Sequence, residues 1–322
     1  METLTALADR LRQSRNIAAK QDIGAIARRL GLAQQAIAVG DDCAAIPDGD
    51  GYLLFAIEGF MNEFVAADPW FAGWCGVMVN LSDIAAMGGR PVAVVDAIWA
   101  DGEANAVPVL EGMRAASEMF GVPIVGGHTN IRTAQSQLSV AVLGKAKALL
   151  TSFDATPGQR LIAAIDHRGA YREPFSNWNA ATTAPMGRQR ADLGILPQIA
   201  EAGLCHVAKD ISQGGIIGTA IMLAECSGVG IDIDIDNVPV PQGVALSRWL
   251  ESFPSFGYLL SVAPENVDAV ITQFANRDIT AADIGTITAS SAIAICKSSE
   301  RQVIFDHAAA PLLDMVQSER AA

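Results

Sequence analysis

Four short stretches set polar side chains into otherwise apolar sequence, and each carries residue types suited to phosphate or a hard metal ion. The first, at residues 40–47, reads GDDCAAIP and places Asp41 and Asp42 together after a glycine. Two carboxylates in a tight turn offer the oxygen ligands that magnesium prefers. The same pair also suits a solvated Asx turn. The second is Glu58-Gly59, which closes the apolar run LLFAI. Ligands gather at strand ends in mixed sheets, although an ordinary exposed strand end looks the same. The third, at residues 79–91, spaces Asn80 and Asp83 three apart on one face of a helical stretch that is otherwise apolar. A carboxylate buried there needs a metal ion or a cation such as Arg90, because an unpaired buried charge is costly. The fourth is a pair of double-glycine stretches, VGGHTN at 125–130 and KDISQGG at 209–215. Glycines let backbone amides approach phosphate oxygens, and a helix start after Gly214-Gly215 favours anions.

Other patterns are weaker or absent. The sequence has no GxxxxGK[ST] and no strand-linked GxGxxG, so it is neither a P-loop NTPase nor a simple dinucleotide binder. Asp232, Asp234 and Asp236 alternate with isoleucine and read as the wet face of a half-buried strand. His128 sits in a glycine loop and suits a ligand or hydrogen-bond role, whereas His167, His206 and His307 lack companion spacing. Cys43 reads as a small buried filler.

The elements that must position these residues alternate in type. Helical spacing covers 4–11 and 17–30, with Gly31 as a stop. Residues 52–57 and 92–99 read as buried strands, and Pro69 opens a helix that Gly88-Gly89 and Pro91 end. A helix at 104–120 and strands at 124–125 and 138–143 follow. The turn cluster at 155–158 marks a boundary, which predicts two domains, 1–150 and 151–322. Beyond it, 161–165, 231–235, 257–262 and 284–287 read as strands. Helices are expected at 187–202, within 210–227, and near 265–274. Residues 168–190 show no period and read as a long loop. The class is α/β or mixed α+β.

Composition narrows the function classes. Half of the 322 residues are hydrophobic and 18% are charged, which excludes a disordered chain. Acidic residues number 35 against 22 basic ones, a formal charge of -13, so nucleic acid is not expected as a partner. Five scattered cysteines without a CxxC pair fit a reducing compartment. The amphipathic start, and an apolar 71–87 interrupted by Asn80 and Asp83, lead to an expected soluble, cytoplasmic protein with no membrane span.

Taken in order, GDD, a strand ending in a carboxylate, NLSDIAAMGGRP, GGHT and DISQGG resemble the aminoimidazole-ribonucleotide (AIR) synthetase, or PurM-like, superfamily. That superfamily includes thiamine-monophosphate kinase, selenophosphate synthetase and formylglycinamidine-ribonucleotide synthetase. Within it the chain is most similar to the AIR synthase-related group. The resemblance implies a two-domain PurM-like fold with a C-terminal α/β domain. It also implies a homodimer in which two N-terminal domains pair their sheets into a β-barrel, with ATP bound between the domains of each chain. Carried over by motif, Asp42, Glu58, Asp83 and Asp210 would hold Mg2+, with Asp41 as a neighbour. Gly126, Gly127, Ser212 and Lys145 would approach the nucleotide. Lys20, which resembles the N-terminal lysine of selenophosphate synthetase, and His128 would take catalytic roles. His128 and Gln213 stand where thiamine-monophosphate kinase has carboxylates, and PSFGYLL at 254–260 replaces its GGEDYEL. Ile17, Ala18 and Ala19 stand where selenophosphate synthetase has its reactive Cys or Sec. The implied activity is ATP-dependent phosphorylation of an oxygen on a small metabolite. The alternatives are a small-molecule kinase and a non-catalytic nucleotide-binding protein.

Overall fold

The computed structural model describes residues 2–32 and 37–314. The chain opens with helices α1 (Leu4–Arg12), α2 (Arg15–Ala18) and α3 (Gln21–Arg29). Next come β1 (Ala44–Asp48), β2 (Gly51–Phe60), α4 (Asn62–Ala67), α5 (Pro69–Ala86), β3 (Arg90–Asp101), α6 (Glu103–Phe120), β4 (Ile124–Asn130) and β5 (Arg132–Ala146). The second half holds β6 (Arg160–Ile165), β7 (Ala170–Tyr171), β8 (Asn177–Asn179), α7 (Arg188–Leu193), α8 (Ile195–Glu201), β9 (Val207–Asp210) and α9 (Gly215–Ser227). It ends with β10 (Gly230–Asp234), α10 (Leu246–Trp249), β11 (Phe253–Pro254), β12 (Gly257–Val262), α11 (Val267–Ala275), β13 (Thr280–Thr288), β14 (Ala292–Lys297) and β15 (Glu300–Asp306). This is a mixed α/β chain in two compact units that interleave in sequence. One unit is Asp42–Leu149 with Thr183–Glu201; the other is Met1–Asp41, Leu150–Thr182 and Ala202–Ala322.

In the first unit, five strands pair in the order β1-β2-β5-β3-β4. The sheet is open, with β1 and β4 at its edges, so no barrel closes within one chain. Helix α5 packs on one face. Asp68 caps it by accepting from the Phe71 amide at 3.3 Å, Pro69 fills its first turn, and Gly88 and Gly89 turn the chain back. Two glycines bring α5 and α6 together. A Cβ on Gly73 would lie 2.0 Å from the Val109 carbonyl oxygen, and one on Gly112 would lie 1.9 Å from that of Trp70. Only hydrogen fits at either crossing point.

In the second unit, seven strands run β15-β14-β10-β13-β6-β12-β9. Strands β6 and β12 are interior strands with almost every residue buried, so they read as apolar runs rather than alternating ones. Strand β10 alternates as expected: Ile231 and Ile233 are buried, while Asp232 takes Arg301 in a forked ion pair at 2.8 and 3.0 Å. Helix α1 sends Leu4, Leu7, Ala8 and Leu11 into the same core as β6 and α9. Their spacing is one helical stripe.

The structure departs from the sequence expectations in several places, and the helix expected over 187–202 divides at Gly194 into α7 and α8. The helix expected over 17–30 breaks at Ala19-Lys20 into α2 and α3. The expected loop at 168–190 contains β7 and β8, which with β11 make a small sheet in the order β11-β8-β7, and then the start of α7. Strands β1, β9, β14 and β15 were not anticipated.

Candidate active site

In the first unit, α5 and the sheet carry the acidic set. Gly76, Asn80 and Asp83 lie on one stripe of α5 at spacings of four and three. A Cβ on Gly76 would touch Val140 at 3.0 Å and Leu138 at 3.2 Å, so this stripe meets β5. Asn80 is 0% and Asp83 5% exposed. The Asn80 amide donates to the Gly76 carbonyl at 2.8 Å, while its Oδ1 accepts no hydrogen bond among the described residues. The Arg90 guanidinium pairs with Glu201 and lowers that carboxyl's pKa.

Glu58 sits in β2 opposite Val140 of β5, Val140 sits opposite Asp96 of β3, and Asp96 pairs with Gly127 of β4. Paired residues on neighbouring strands share a face, so Glu58, Val140 and Asp96 point toward the α5 side. Asp96 escaped the sequence reading. Its signal was available: a lone carboxylate inside the apolar strand VVDAIWA. Gly127 makes room for it, since a Cβ there would lie 2.3 Å from Asp96 Oδ1. Burial raises the Asp96 carboxyl above its ordinary 3.8, against a lowering by its own backbone amide.

Two expected contributors lie elsewhere. His128 is exposed on β4, opposite Ala97, with its ring 5.7 Å from that of Trp99. Lys145 is exposed five residues along β5 from Val140 and faces Asp48 at 3.9 Å. Five strand residues span about 17 Å, so Lys145 is distant from the Glu58–Asp96 row. Gly126 lies beside Gly127 on exposed β4, and Asp42 is half-buried ahead of buried Cys43.

In the second unit, β9 ends at Asp210 and a short turn leads into α9. Asp210 is buried, and so is its neighbour Lys209, which the sequence reading quoted without assigning a role. The Ser212 amide donates to Thr219 Oγ1 at 3.2 Å, while Ser212 Oγ, buried, has no hydrogen-bond partner among the described residues. Gly215 has φ +67°, and a Cβ on it would lie 2.3 Å from the Leu250 carbonyl oxygen. Asp41 accepts from the Ser152 amide at 2.9 Å and the Ser152 hydroxyl at 2.7 Å, and Lys209 Nζ lies 3.5 Å from the same hydroxyl. Lys20 is half-buried between α2 and α3, and Ile17 of α2 lies 3.3 Å from a Cβ on Gly218 of α9.

The donor chemistry fits magnesium and phosphate. The oxygens are hard, and two of them, Asn80 Oδ1 and Ser212 Oγ, are buried with unused hydrogen-bonding capacity. No three His, Cys, Asp or Glu side chains among the described residues are grouped to hold an ion by themselves. Magnesium does not require such a cage, because it binds through one or two carboxylates together with substrate phosphates and water.

Comparison with known proteins places this geometry in context. Residues 40–146 match the model for the AIR synthase related protein, N-terminal domain, and residues 181–296 match that for its C-terminal domain. An uncharacterized protein of Synechocystis is 47% identical over 315 residues, covering 96% of this chain and 98% of its own length. Thermotoga maritima PurL complexed with ATP superposes with a TM-score of 0.70 at 17% identity, over 87% of this chain. The chain spans only 47% of that PurL chain. AaThiL complexed with AMPPCP and TMP superposes with a TM-score of 0.65 at 18% identity, over 87% of this chain and 94% of the other.

Proposed function

The chain belongs to the AIR synthase related protein family, and from that premise we propose that it is an ATP- and Mg2+-dependent enzyme that phosphorylates an oxygen of a small metabolite. The observation that carries this reading is the burial of Asn80 and Asp83 on one stripe of an otherwise apolar helix. Buried side-chain oxygens are nearly always hydrogen-bonded, and Asn80 Oδ1, one helical turn from Asp83, has no such partner among the described residues. Phosphoryl transfer needs charge neutralisation and alignment more than covalent help from the protein.

Magnesium supplies that neutralisation when bound. Asp42, Glu58, Asp83 and Asp210 are assigned as the carboxylates that serve magnesium, each ion taking one or two of them with phosphate and water, and Asp96 joins the set because it shares a sheet face with Glu58. Gly126, Gly127 and Ser212 accommodate nucleotide oxygens. Lys20 offsets phosphate charge, and His128 is left out of the set because register pairs it with Ala97, on the sheet face opposite Asp96. Asp41 holds Ser152 beside Lys209 and acts as a supporting neighbour. Lys145 is left out of the set because of its distance along β5.

We also assign a homodimer to the first unit's open sheet. Its face away from α5 exposes Phe55 (52%) and Ile57 (65%), with Val95 and Leu143 on the same face by register. Such an apolar face on a central sheet calls for a partner, and a second copy provides one.

Isothermal titration with ATP, with and without magnesium, tests the nucleotide reading. Binding should require magnesium, and Asp83→Asn and Asp210→Asn should each weaken it at least tenfold. Equal affinity with and without the ion would remove the basis for the assignment. A small-molecule kinase is the second reading, favoured by near full-length coverage of AaThiL against half of PurL. Assays of ADP release that separate phosphorylated from cyclised or amidated products distinguish the two.

A further inference from the structure

Besides Ser212 Oγ and Ser14 Oγ, the unit that carries α9 holds two buried polar atoms that lie together without a hydrogen-bond partner among the described residues, Trp249 Nε1 and His167 Nε2. Buried polar groups are nearly always paired, and an indole N–H can only donate. Trp249 is 1% exposed. Its ring meets that of His167 edge-to-face at 5.2 Å, so the two orphaned atoms belong to one cluster.

The frame around them is well tied. Trp178 packs edge-to-face on both Trp249 and Tyr171, and its own Nε1 donates to the Asp166 carbonyl at 3.0 Å. Tyr171 Oη and Ser252 Oγ share a hydrogen bond of 2.6 Å. Strand β8, which carries Trp178, pairs with β11. Other polar groups of the cluster are therefore matched, and the unmatched pair stands out.

The cluster also abuts the start of α9. Gly215 approaches the Leu250 carbonyl so closely that no Cβ fits, and Leu250 follows Trp249 directly. Ser212, with its unmatched hydroxyl, precedes the same turn. Three orphaned polar atoms thus sit on adjoining elements of one unit.

We propose that Trp249 and His167 form the acceptor subsite, and that it takes a neutral planar metabolite through a carbonyl or carboxamide oxygen. The proposal rests on the ATP-dependent reading for the word acceptor, but the binding chemistry stands on these two side chains. The neighbouring cations are committed: Arg168 pairs with Asp166 at 2.8 Å, and Arg248 pairs with Glu173 at 2.9 Å while lying 3.5 Å over the Tyr171 ring. Burial, opposed by Asp166, holds His167 below its ordinary 6.5 and keeps it neutral at pH 7. A carboxylate would be desolvated there without a cation to receive it, whereas a neutral oxygen needs only the indole and imidazole hydrogens. Planar ligands also suit aromatic walls.

The test uses the full chain labelled with 15N, in which Trp70, Trp74, Trp99, Trp178 and Trp249 each give one indole N–H signal. The Trp249 signal is assigned by its loss in Trp249→Phe. Nicotinamide and benzamide are the neutral probes, with nicotinate and benzoate as charged controls. The amides should shift the Trp249 indole and His167 ring signals, and Trp249→Phe should weaken their binding about tenfold. If Trp249→Phe does not fold, His167→Gln carries the same expectation. Amides that leave the Trp249 signal unmoved, or acids that move it equally, overturn the proposal. A magnesium-ATP titration of the same wild-type sample reports separately on the nucleotide reading, so either can fail alone.

Discussion

Asp96 shows how a single carboxylate separates stability from function. Burial raises its pKa, so the folded state holds its proton more tightly than the unfolded chain does. A raised carboxyl favours folding fully below the ordinary 3.8, and this contribution is lost as the pH rises through the raised value. At neutral pH the ionised group is therefore a net cost to the fold. Asp96→Asn should stabilise the protein at pH 7 by about 0.5–1 kcal/mol, given solvent screening at a half-buried site. That corresponds to a rise in Tm of roughly 1–2 °C. Thermal denaturation at pH 7 and below 3.8 checks the sign, since the gain should vanish in acid. The same variant should lose about tenfold in magnesium-dependent ATP affinity by titration. A lower Tm at neutral pH with unchanged nucleotide binding would make Asp96 a structural residue. The sequence signal for Asp96 equals the one that singled out Asp83, a carboxylate in an apolar run. The double glycine nearby drew the reading to Gly126 and Gly127, and only strand register showed that Gly127 serves Asp96.

At the scale of elements, α9 is anchored at both ends. Its start bears the turn with Ser212, and near its end Glu225 accepts from the amides of Leu312, Leu313 and Asp314 at 2.6, 2.9 and 2.8 Å. Asp314 in turn pairs with Arg28 of α3. One carboxylate thus straps the chain's last described residues to α9 and, through them, to α3. Replacing Glu225 by Gln puts an amide N–H where an acceptor is needed. We expect Glu225→Gln to cost about 1–3 kcal/mol. Hydrogen exchange should quicken at 312–314 and in α3, and unchanged exchange there would show that the strap carries no stability. Long periodic elements such as α5, α6 and β12 were legible, because burial imposes apolar runs and glycine or proline marks their ends. Strands β7, β8 and β11 were not, because two or three residues are too few to show a period. The pairing of β8 with β11 also depends on a partner 76 residues away, Phe253 opposite Asn177.

At the scale of the molecule, the exposed apolar face of the five-stranded sheet sets the expected assembly. Phe55 lies opposite Leu143, and Ile57 opposite Ala141, which in turn faces Val95. Placing charge there, as in Phe55→Glu with Ile57→Glu, should leave the fold in place, because both side chains are already exposed. It should convert a dimer to a monomer by sedimentation. A wild-type chain that sediments as a monomer would refute the assignment. Among the described residues no helix is long and apolar enough to cross a membrane, and none of the five cysteines forms a disulfide.

The amino-acid sequence alone determined the order of elements in the larger motifs, the apolar helix with its two polar residues, and the family resemblance. These depend on local periodicity, capping and short motifs, which neighbouring residues impose on one another. Tertiary structure alone decided that α1 packs with β6 and α9, that Asp96 shares a face with Glu58, and that Lys145 lies far along its strand from that row. It alone brought Trp249 beside His167 at the start of α9. Each of these depends on register and packing between segments far apart in the chain, and an amphipathic stripe shows that a core exists without showing which one.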